Sequence, residues 1–143
     1  MSCVLRVSGE ALDVDALLSE VSLQPDKIWR NGESRFGGKI ESDSGANFLV
    51  SEADLNQFDV QLQEATEFLE QQATVVAKIA SFPGVESAVL DFGIEVRAGF
   101  VAQFDHLPRQ FIQAAVKAGI SVELSHYVCS EDEEIQEQES RTS

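Results

Sequence analysis

The sequence predicts an α+β fold, in which helices pack on one face of a mostly antiparallel sheet. Two observations lead to this prediction. Strands and helices alternate along the chain in the order β-α-β-β-α-β-β-α-β. The predicted strands place apolar residues at every second position, as strands with one buried and one solvent-facing side do. A ferredoxin-like arrangement, or a near variant of it, fits this order best.

The first predicted elements are a strand, a short helix and a second strand. In "CVLRVSG" apolar and polar residues alternate until Gly9 ends the run. The helix lies in "LDVDALLSEV", where Asp13 or Asp15 is placed to cap its N-terminus or to complement its dipole. "KIWR" predicts a brief strand, and the Gly- and Ser-rich residues 36–46 predict a surface loop.

A long helix and a well-defined strand occupy the middle of the chain. Apolar residues recur at three- and four-residue steps between Leu55 and Ala80, with Leu62 and Leu69 on the stripe. We expect this stripe to be a core face. Pro83 and the residues beside it end the helix, and the alternating pattern of "SAVLDFGIEV" predicts a strand after it.

Two further strands and a helix complete the prediction. A turn near Gly99 leads into "FVAQF", which we interpret as a strand beside the preceding one. Asp105 is placed to cap a helix that ends at Gly119. "ISVELSHYVC" predicts the final strand, which we expect to pair with the first strand and to carry His126 as a core histidine.

Length and composition predict one α+β domain over residues 1–129 and an acidic tail over residues 130–143. The tail has six acidic residues and one basic residue, so burial cannot offset its ordering entropy and we expect disorder. Charge begins at Arg6, which leaves no room for the apolar segment of a signal peptide, and no apolar run approaches the roughly 20 residues of a membrane span. We therefore expect a cytoplasmic protein that is not inserted in a membrane.

The charge of the chain restricts its partners. A formal net charge of -15 argues against binding to nucleic acid or to anionic membranes, since both depend on clustered Lys and Arg. It is compatible with a basic protein partner, whose approach a negative field accelerates. Solubility alone is the other explanation of such a charge.

The sequence contains no signature of catalysis or of cofactor binding. His126 and Cys129 could contribute two metal ligands, but no second pair accompanies them at a fixed spacing. Asp91 and Glu95 share one face of a strand and could act as an acid and base pair, although such residues are more often solvated. We therefore predict no catalytic residue, no cofactor and no metal, and we favour a non-enzymatic protein.

The stretch "PDKIWRNGESRFGGK", residues 25–39, is the most unusual part of the sequence. It contains the single tryptophan and four of the ten basic residues. We predict a binding site formed by Trp29, Arg30, Glu33 and Arg35, with the ring as a stacking platform and the guanidinium groups binding carboxylate or phosphate. The alternative is structural: Trp29 packs under the loop that follows, and Arg30 pairs with Glu33 or another local acid.

This stretch also carries a resemblance to a known family. The opening strand "LRVSG", the "LDVDALL" helix and the run Pro25, Trp29, Arg30, Gly32 and Glu33 resemble a bacterial family of unknown function, the four-two-seven-nine family. The resemblance covers nearly all of the chain before the tail and implies a long middle helix and a closing strand. It implies no chemistry for the motif. Because members of that family occur near toxin genes, it implies a small immunity-type protein.

Two functions remain open from the sequence. The first is a non-enzymatic interaction module, in particular an immunity-type inhibitor that covers a basic site of its partner. The second is a small-molecule or anion-binding protein, or a cryptic enzyme, with its site around Trp29, Arg30, Glu33 and Arg35. The oligomeric state stays open.

Overall fold

The computed structural model describes residues 2–129, and the predicted acidic tail, residues 130–143, lies outside the described residues. The described part contains five strands and four helices. In chain order they are β1 (Cys3–Gly9), α1 (Val14–Glu20), β2 (Lys27–Trp29), β3 (Ser44–Ser51), α2 (Phe58–Gln71), α3 (Ala73–Ala80), β4 (Ser87–Val96), α4 (Arg109–Ala118) and β5 (Ser121–Val128).

The five strands form one mostly antiparallel sheet in the order β2-β3-β1-β4-β5. The first four strands of the chain are antiparallel neighbours in the order of a ferredoxin-like sheet, while β5 pairs in parallel with β4. The predicted α+β class is therefore confirmed. The expected pairing of the last strand with the first is wrong, because Leu5 pairs with Leu90 and Leu90 pairs in turn with Val122. The helix α4 returns the chain so that β5 lies parallel to β4, at the edge of the sheet.

The helices pack on one face of the sheet. One continuous core contains the helix-side residues of the central strands and buried residues from all four helices. Phe92 of β4 lies at its centre, with its ring edge-to-face against Phe58 of α2 at 5.4 Å and against Phe111 of α4 at 5.5 Å. The alternation within β1 and β4 thus leaves their other side chains on the opposite, open face.

Two of the predicted helix ends are confirmed. Asp13 caps α1, because its Oδ1 accepts a hydrogen bond from the amide of Ala16 at 3.0 Å. Gly119 ends α4 in the left-handed region at φ 73°. Asp105 does not cap α4, whose N-cap residue is Pro108, and instead contacts His126 of β5.

The predicted long helix is divided in two. Residue Gln72 leaves helical geometry and separates α2 from α3, and Leu55 precedes α2. Leu62, Leu69 and Val76 are nevertheless all buried, as the apolar stripe predicts. Because these three residues keep a seven-residue spacing across the break, periodicity does not reveal it.

Two loop predictions are corrected. The segment "FVAQF" is not a strand, because both long edges of β4 are already occupied by β1 and β5. Its residues belong to the connection 97–108, where Val101 and Phe104 are exposed. The predicted loop over residues 36–46 ends earlier than expected, since Ser44–Ala46 belong to β3 and are buried.

Candidate functional site

Trp29 lies at the end of β2 and packs against the sheet. Its half-buried ring lies over Gly45 of β3, where a Cβ atom would overlap the ring. The indole Nε1 donates a hydrogen bond to Asp43 Oδ1 at 2.7 Å. The ring is therefore fixed from one side by packing and at its polar end by a carboxylate, which leaves only part of it accessible to a ligand.

Arg30 is engaged by carboxylates of the same chain. Its Nε and Nη2 donate hydrogen bonds to Asp15 Oδ2 and Oδ1 at 2.9 and 2.7 Å, and Nη1 lies 3.4 Å from Glu33 Oε1. The hydrogen bond from Arg30 lowers the pKa of Asp15, and Asp15 in turn raises the pKa of Arg30. These contacts match the structural alternative for Arg30, in which local acids pair with it.

Arg35 has a similar arrangement within a small hairpin. Its Nε lies 2.6 Å from Glu41 Oε1, and a bridge between Ser34 and Ile40 closes the turn. Phe36 at the tip is fully exposed. The structure thus places Glu33 beside Arg30 and Asp43 beside Trp29. Arg35 pairs separately, with Glu41. The binding site predicted from these four residues stays a prediction.

A concave surface lies elsewhere, between α2, the connection 97–108 and the start of α4. It is a groove of about 700 Å³. We call it the acidic groove, because three carboxylates, those of Asp59, Glu67 and Asp105, line it together with Phe58, Phe104, Phe111, Arg97 and His106. Phe104 is 92% exposed, so an aromatic surface adjoins these carboxylates.

The carboxylates of the acidic groove differ in their partners. Asp105 Oδ2 lies 3.1 Å from His126 Nε2, and Gln103 Nε2 approaches Asp105 Oδ1 at 3.5 Å. Within residues 2–129 the carboxylates of Asp59 and Glu67 form no ion pair and accept no hydrogen bond. The groove therefore contains one anchored carboxylate and two that are available to a partner.

Gln103 holds the connection 97–108 in place. Its Oε1 accepts a hydrogen bond from the amide of Arg97 at 2.9 Å, and its Nε2 donates to the carbonyl oxygen of Glu95 at 3.0 Å. This closes the loop directly after β4, and Phe104 and Asp105 of the same loop line the acidic groove.

His126 is not the core histidine that the strand pattern predicts. It lies on the helix side of β5, opposite Ile94, but its side chain is 42% exposed and pairs with Asp105. Because β5 is an edge strand, its helix-side residues are only partly covered. His106 is exposed.

The open face of the sheet carries a smaller polar cluster. Arg6 lies 2.9 Å from Asp91 and 3.7 Å from Glu123, and Ser125 Oγ donates to Asp91 Oδ1 at 2.6 Å. A concavity of about 340 Å³ adjoins this cluster. Asp91 is thus engaged by Arg6 and Ser125 rather than by Glu95.

Two negative findings concern the described part of the chain. Across residues 2–129 no group of three or more His, Cys, Asp or Glu side chains is arranged to hold a metal ion. None of the helices found there has both the length and the apolar character needed to cross a membrane.

Comparisons with known proteins found no match among family models, curated proteins or solved structures. The resemblance to the four-two-seven-nine family therefore stays a prediction, based on the run from Pro25 to Glu33.

The acidic groove was not predicted from the sequence. Asp59 and Glu67 fall on the polar side of the helical pattern, and Asp105 was assigned to a cap. The available signal was local: Pro108 follows Phe104 and Asp105 closely, which argues against a strand there and for an exposed aromatic loop before a helix.

Proposed function

We propose that this protein is a non-enzymatic interaction module of the cytoplasm that binds a basic protein through the acidic groove. The observation that supports the proposal is the contrast between two sites. The carboxylates of Asp59 and Glu67 are unpaired within residues 2–129, whereas Arg30 and Arg35 are both paired with carboxylates of their own chain. The two unpaired carboxylates can therefore attract a cation. The two guanidinium groups that could attract an anion are already paired.

The chemistry of the acidic groove suits a lysine or arginine side chain. The aliphatic part of such a side chain packs on apolar surface, here that of Phe58 and Phe104, while its charged end reaches carboxylates. A cation over an aromatic ring gains further attraction. Arg97 also lines the groove, but three carboxylates outnumber it.

The charge of the whole chain supports the same function. A net charge of -15 accelerates encounter with a positively charged protein and makes the association dependent on salt. The family resemblance adds a biological role, that of an immunity-type protein which covers a basic toxin or nuclease site. Inhibition requires only that the groove and its surroundings cover the partner's functional surface, so no catalytic group is needed.

A pull-down with the immobilised full chain tests this function. We expect it to recover a basic protein from the native cytoplasm at low salt, and less of it at moderate salt. The purified partner is then measured against the double variant Asp59→Asn and Glu67→Gln. A matched control is Glu52→Gln with Glu64→Gln, which removes the same charge at exposed sites outside the groove.

Binding that weakens at least about tenfold in the groove variant and little in the control would support the proposal. Recovery of no protein at either salt concentration would contradict it. Equal losses in both double variants would mean that net charge, rather than the groove, attracts the partner.

The alternative function, small-molecule or anion binding around Trp29, Arg30, Glu33 and Arg35, requires a ligand to compete with Asp15 and Glu41 for the two guanidinium groups. Titration of the Trp29 fluorescence with a panel of metabolites distinguishes the two functions. A saturable response that Arg30→Ala abolishes would favour the ligand site.

A further inference from the structure

The outer edge of β5 is long and has no neighbouring strand in the described part of the chain. Among residues 2–129, β5 pairs only with β4, in regular register over eight residues. Its sequence, "SVELSHYV", contains no proline, glycine or lysine. Proteins usually blunt an exposed edge with a short strand, a bulge, a proline or a lysine. The opposite edge follows that rule, since β2 has only three residues, but the edge of β5 does not.

An apolar flank of α4 lies beside this edge. Gln110 Nε2 donates a hydrogen bond to Glu70 Oε1 at 2.8 Å, so the flank of α4 that carries Gln110 faces α2. Ile112 and Val116, one helical turn apart, lie on the opposite flank and are 49% and 74% exposed. Since α2 lies on the inner side of α4, Ile112 and Val116 face outward along β5.

The helix-side residues of β5 extend this apolar surface. Val122 and Val128 share that side, because they pair with Leu90 and Val96 of β4, and both are exposed. We call the outer backbone of β5 together with Ile112, Val116, Val122 and Val128 the β5 edge surface. It combines backbone groups that pair with no other strand among residues 2–129 with apolar side chains on one side only.

One acidic side chain lies beside the β5 edge surface. Glu123 projects from the open face of β5; Arg6 lies 3.7 Å from it, but its side chain stays 56% exposed. An incoming strand therefore meets apolar residues on one of its sides and an accessible carboxylate on the other, in a chain whose formal net charge is -15.

We propose that the β5 edge surface binds an extended segment of a basic partner, which adds to the sheet as a sixth strand. In such a segment apolar residues alternate with Lys or Arg, because successive side chains of a strand point to opposite faces. Its apolar residues contact Ile112, Val116 and Val122, and its cations lie near Glu123. This inference rests on the proposed function, since both require a basic partner.

A second copy of the chain fits the edge less well. Pairing β5 with β5 brings two chains of net charge -15 together and places their acidic groups near each other. A basic strand meets the same surface with attraction instead of repulsion, so we commit to it as the occupant.

Binding of a defined peptide to the full chain tests the inference. The probe is a nine-residue peptide of alternating Val and Lys, and its controls are the same peptide with Glu in place of Lys and the same peptide N-methylated at every second residue. We expect amide shifts in an NMR titration over residues 121–128, and binding at least about tenfold weaker for each control, because one loses charge attraction and the other loses backbone hydrogen bonds.

Variants of the protein locate the contact. The double variant Ile112→Ser and Val116→Ser should weaken binding of the Val-Lys peptide at least about fivefold, because it removes apolar contact area at two exposed positions. Gln113→Ser, at an exposed site on the same helix, should change it less than about twofold. Amide shifts confined to the acidic groove, or equal binding of the N-methylated peptide, would overturn the inference.

Different experimental results would contradict the inference and the proposed function. A basic partner whose binding responds to Asp59→Asn and Glu67→Gln, but not to Ile112→Ser and Val116→Ser, would overturn the β5 edge surface and leave the interaction function intact. Absence of any basic partner would overturn both. A dimer in sedimentation that Ile112→Ser and Val116→Ser dissociate would assign the surface to a second copy and also overturn the inference.

Discussion

Arg30 binds both carboxylate oxygens of Asp15, through Nε at 2.9 Å and Nη2 at 2.7 Å, and thereby joins the residue after β2 to the first turn of α1. Glu33 approaches the same guanidinium group at 3.4 Å. A bidentate pair of this kind fixes the direction of the arginine side chain as well as its position. The most unusual stretch of the sequence therefore has a structural role, since it joins β2 to α1.

The first prediction concerns the titration of Asp15. Its pKa is lowered from 3.8, mainly by the hydrogen bond from Arg30. A carboxyl whose pKa is lower in the folded state stabilises the protein above its unfolded pKa, and this contribution is lost as the pH falls through the folded value. The affected window therefore lies below about pH 4. The contribution to stability is small, because the pair is exposed to solvent and screened by salt.

An NMR titration of the Asp15 carboxyl carbon measures this effect. We expect a midpoint below 3.8 in the unmodified chain. Arg30→Ala should raise the midpoint, whereas Arg35→Ala should leave it unchanged, because Arg35 pairs with Glu41. A midpoint at or above 3.8 with Arg30 present would show that the ion pair does not form in solution.

The second prediction concerns the apolar face of α2. Leu62 and Leu69 are 5% and 1% exposed, so Leu→Ala at either position removes buried side-chain volume. We expect each change to lower the free energy of unfolding by about 2 to 5 kcal/mol. Urea denaturation measures the loss, with the fully exposed Val101→Ala as a control that should stay within about 0.5 kcal/mol. A cost below about 1 kcal/mol at both leucines would mean that this face is not a core face in solution.

The third prediction concerns the close packing of Trp29 on β3. A Cβ atom on Gly45 would overlap the ring of Trp29 and the carbonyl oxygen of Val7. Because one of these groups is backbone, side-chain rotation alone cannot relieve the overlap. We expect Gly45→Ala to destabilise the protein by about 1 to 3 kcal/mol and to shift the Trp29 fluorescence toward that of a more exposed ring.

Gly99→Ala is the control for that substitution. Gly99 has φ 84° and no neighbouring atom near its missing Cβ, so the change tests the cost of backbone strain without overlap. That cost is about 1 to 2 kcal/mol, and the fluorescence of Trp29 should not respond. An unchanged tryptophan spectrum in Gly45→Ala would show that the ring does not lie on β3.

The fourth prediction concerns the thiol of Cys3. The residue is fully buried, and burial raises its pKa, with further contributions from the negative charges of Asp91 and Glu64. Both the access and the ionisation that thiol reagents require are therefore suppressed. In a Cys129→Ser background at pH 8, we expect labelling of Cys3 at least about a hundredfold slower than in the urea-unfolded chain, because it must await opening of the sheet. Equal rates would place Cys3 outside the core.

The sequence was sufficient to predict the fold class but not the neighbours of each strand. Alternation shows which side of a strand is buried, and Leu5 and Leu90 are indeed buried together. It does not show which strand lies next to which. The position of β5 beside β4 depends on how α4 packs on Phe92 through Phe111, a contact between residues distant in the sequence.

The pattern of apolar residues also does not predict which polar residues are buried. Gln61 is fully buried on α2 beside Leu62, and its Nε2 donates hydrogen bonds to the carbonyl oxygens of Asp54 and Gly93 at 3.0 and 2.9 Å. Its role is to bind backbone groups of a loop and of β4, which only the folded chain brings together. His126 is the opposite case. It lies in the apolar register of β5, but it is partly exposed because β5 is at the edge of the sheet.

One candidate site could be predicted from the sequence and the other could not. The pairing of Arg30 with a local acid could be predicted, because the partner Glu33 lies three residues away. The acidic groove could not, because Asp59 and Glu67 of α2 are joined there by Asp105 of the connection 97–108, which is distant from them in the sequence. Sites formed by one continuous stretch are visible in a sequence, whereas sites formed between elements require the tertiary structure.

The position of β1 in the middle of the sheet has a consequence for the newly synthesised chain. β1 precedes both of its neighbours, and Leu5 pairs with Phe48 and with Leu90. Its hydrogen bonds to β4 cannot all form until residues 87–96 have left the ribosome, and long-range pairing of this kind is slow. One edge of β1 thus stays unpaired for most of translation, when exposed strands are prone to aggregate. A nascent chain that stalls before β4 has emerged therefore exposes an unpaired edge of β1, whereas one that stalls after residue 96 has emerged can pair all four strands of its antiparallel sheet.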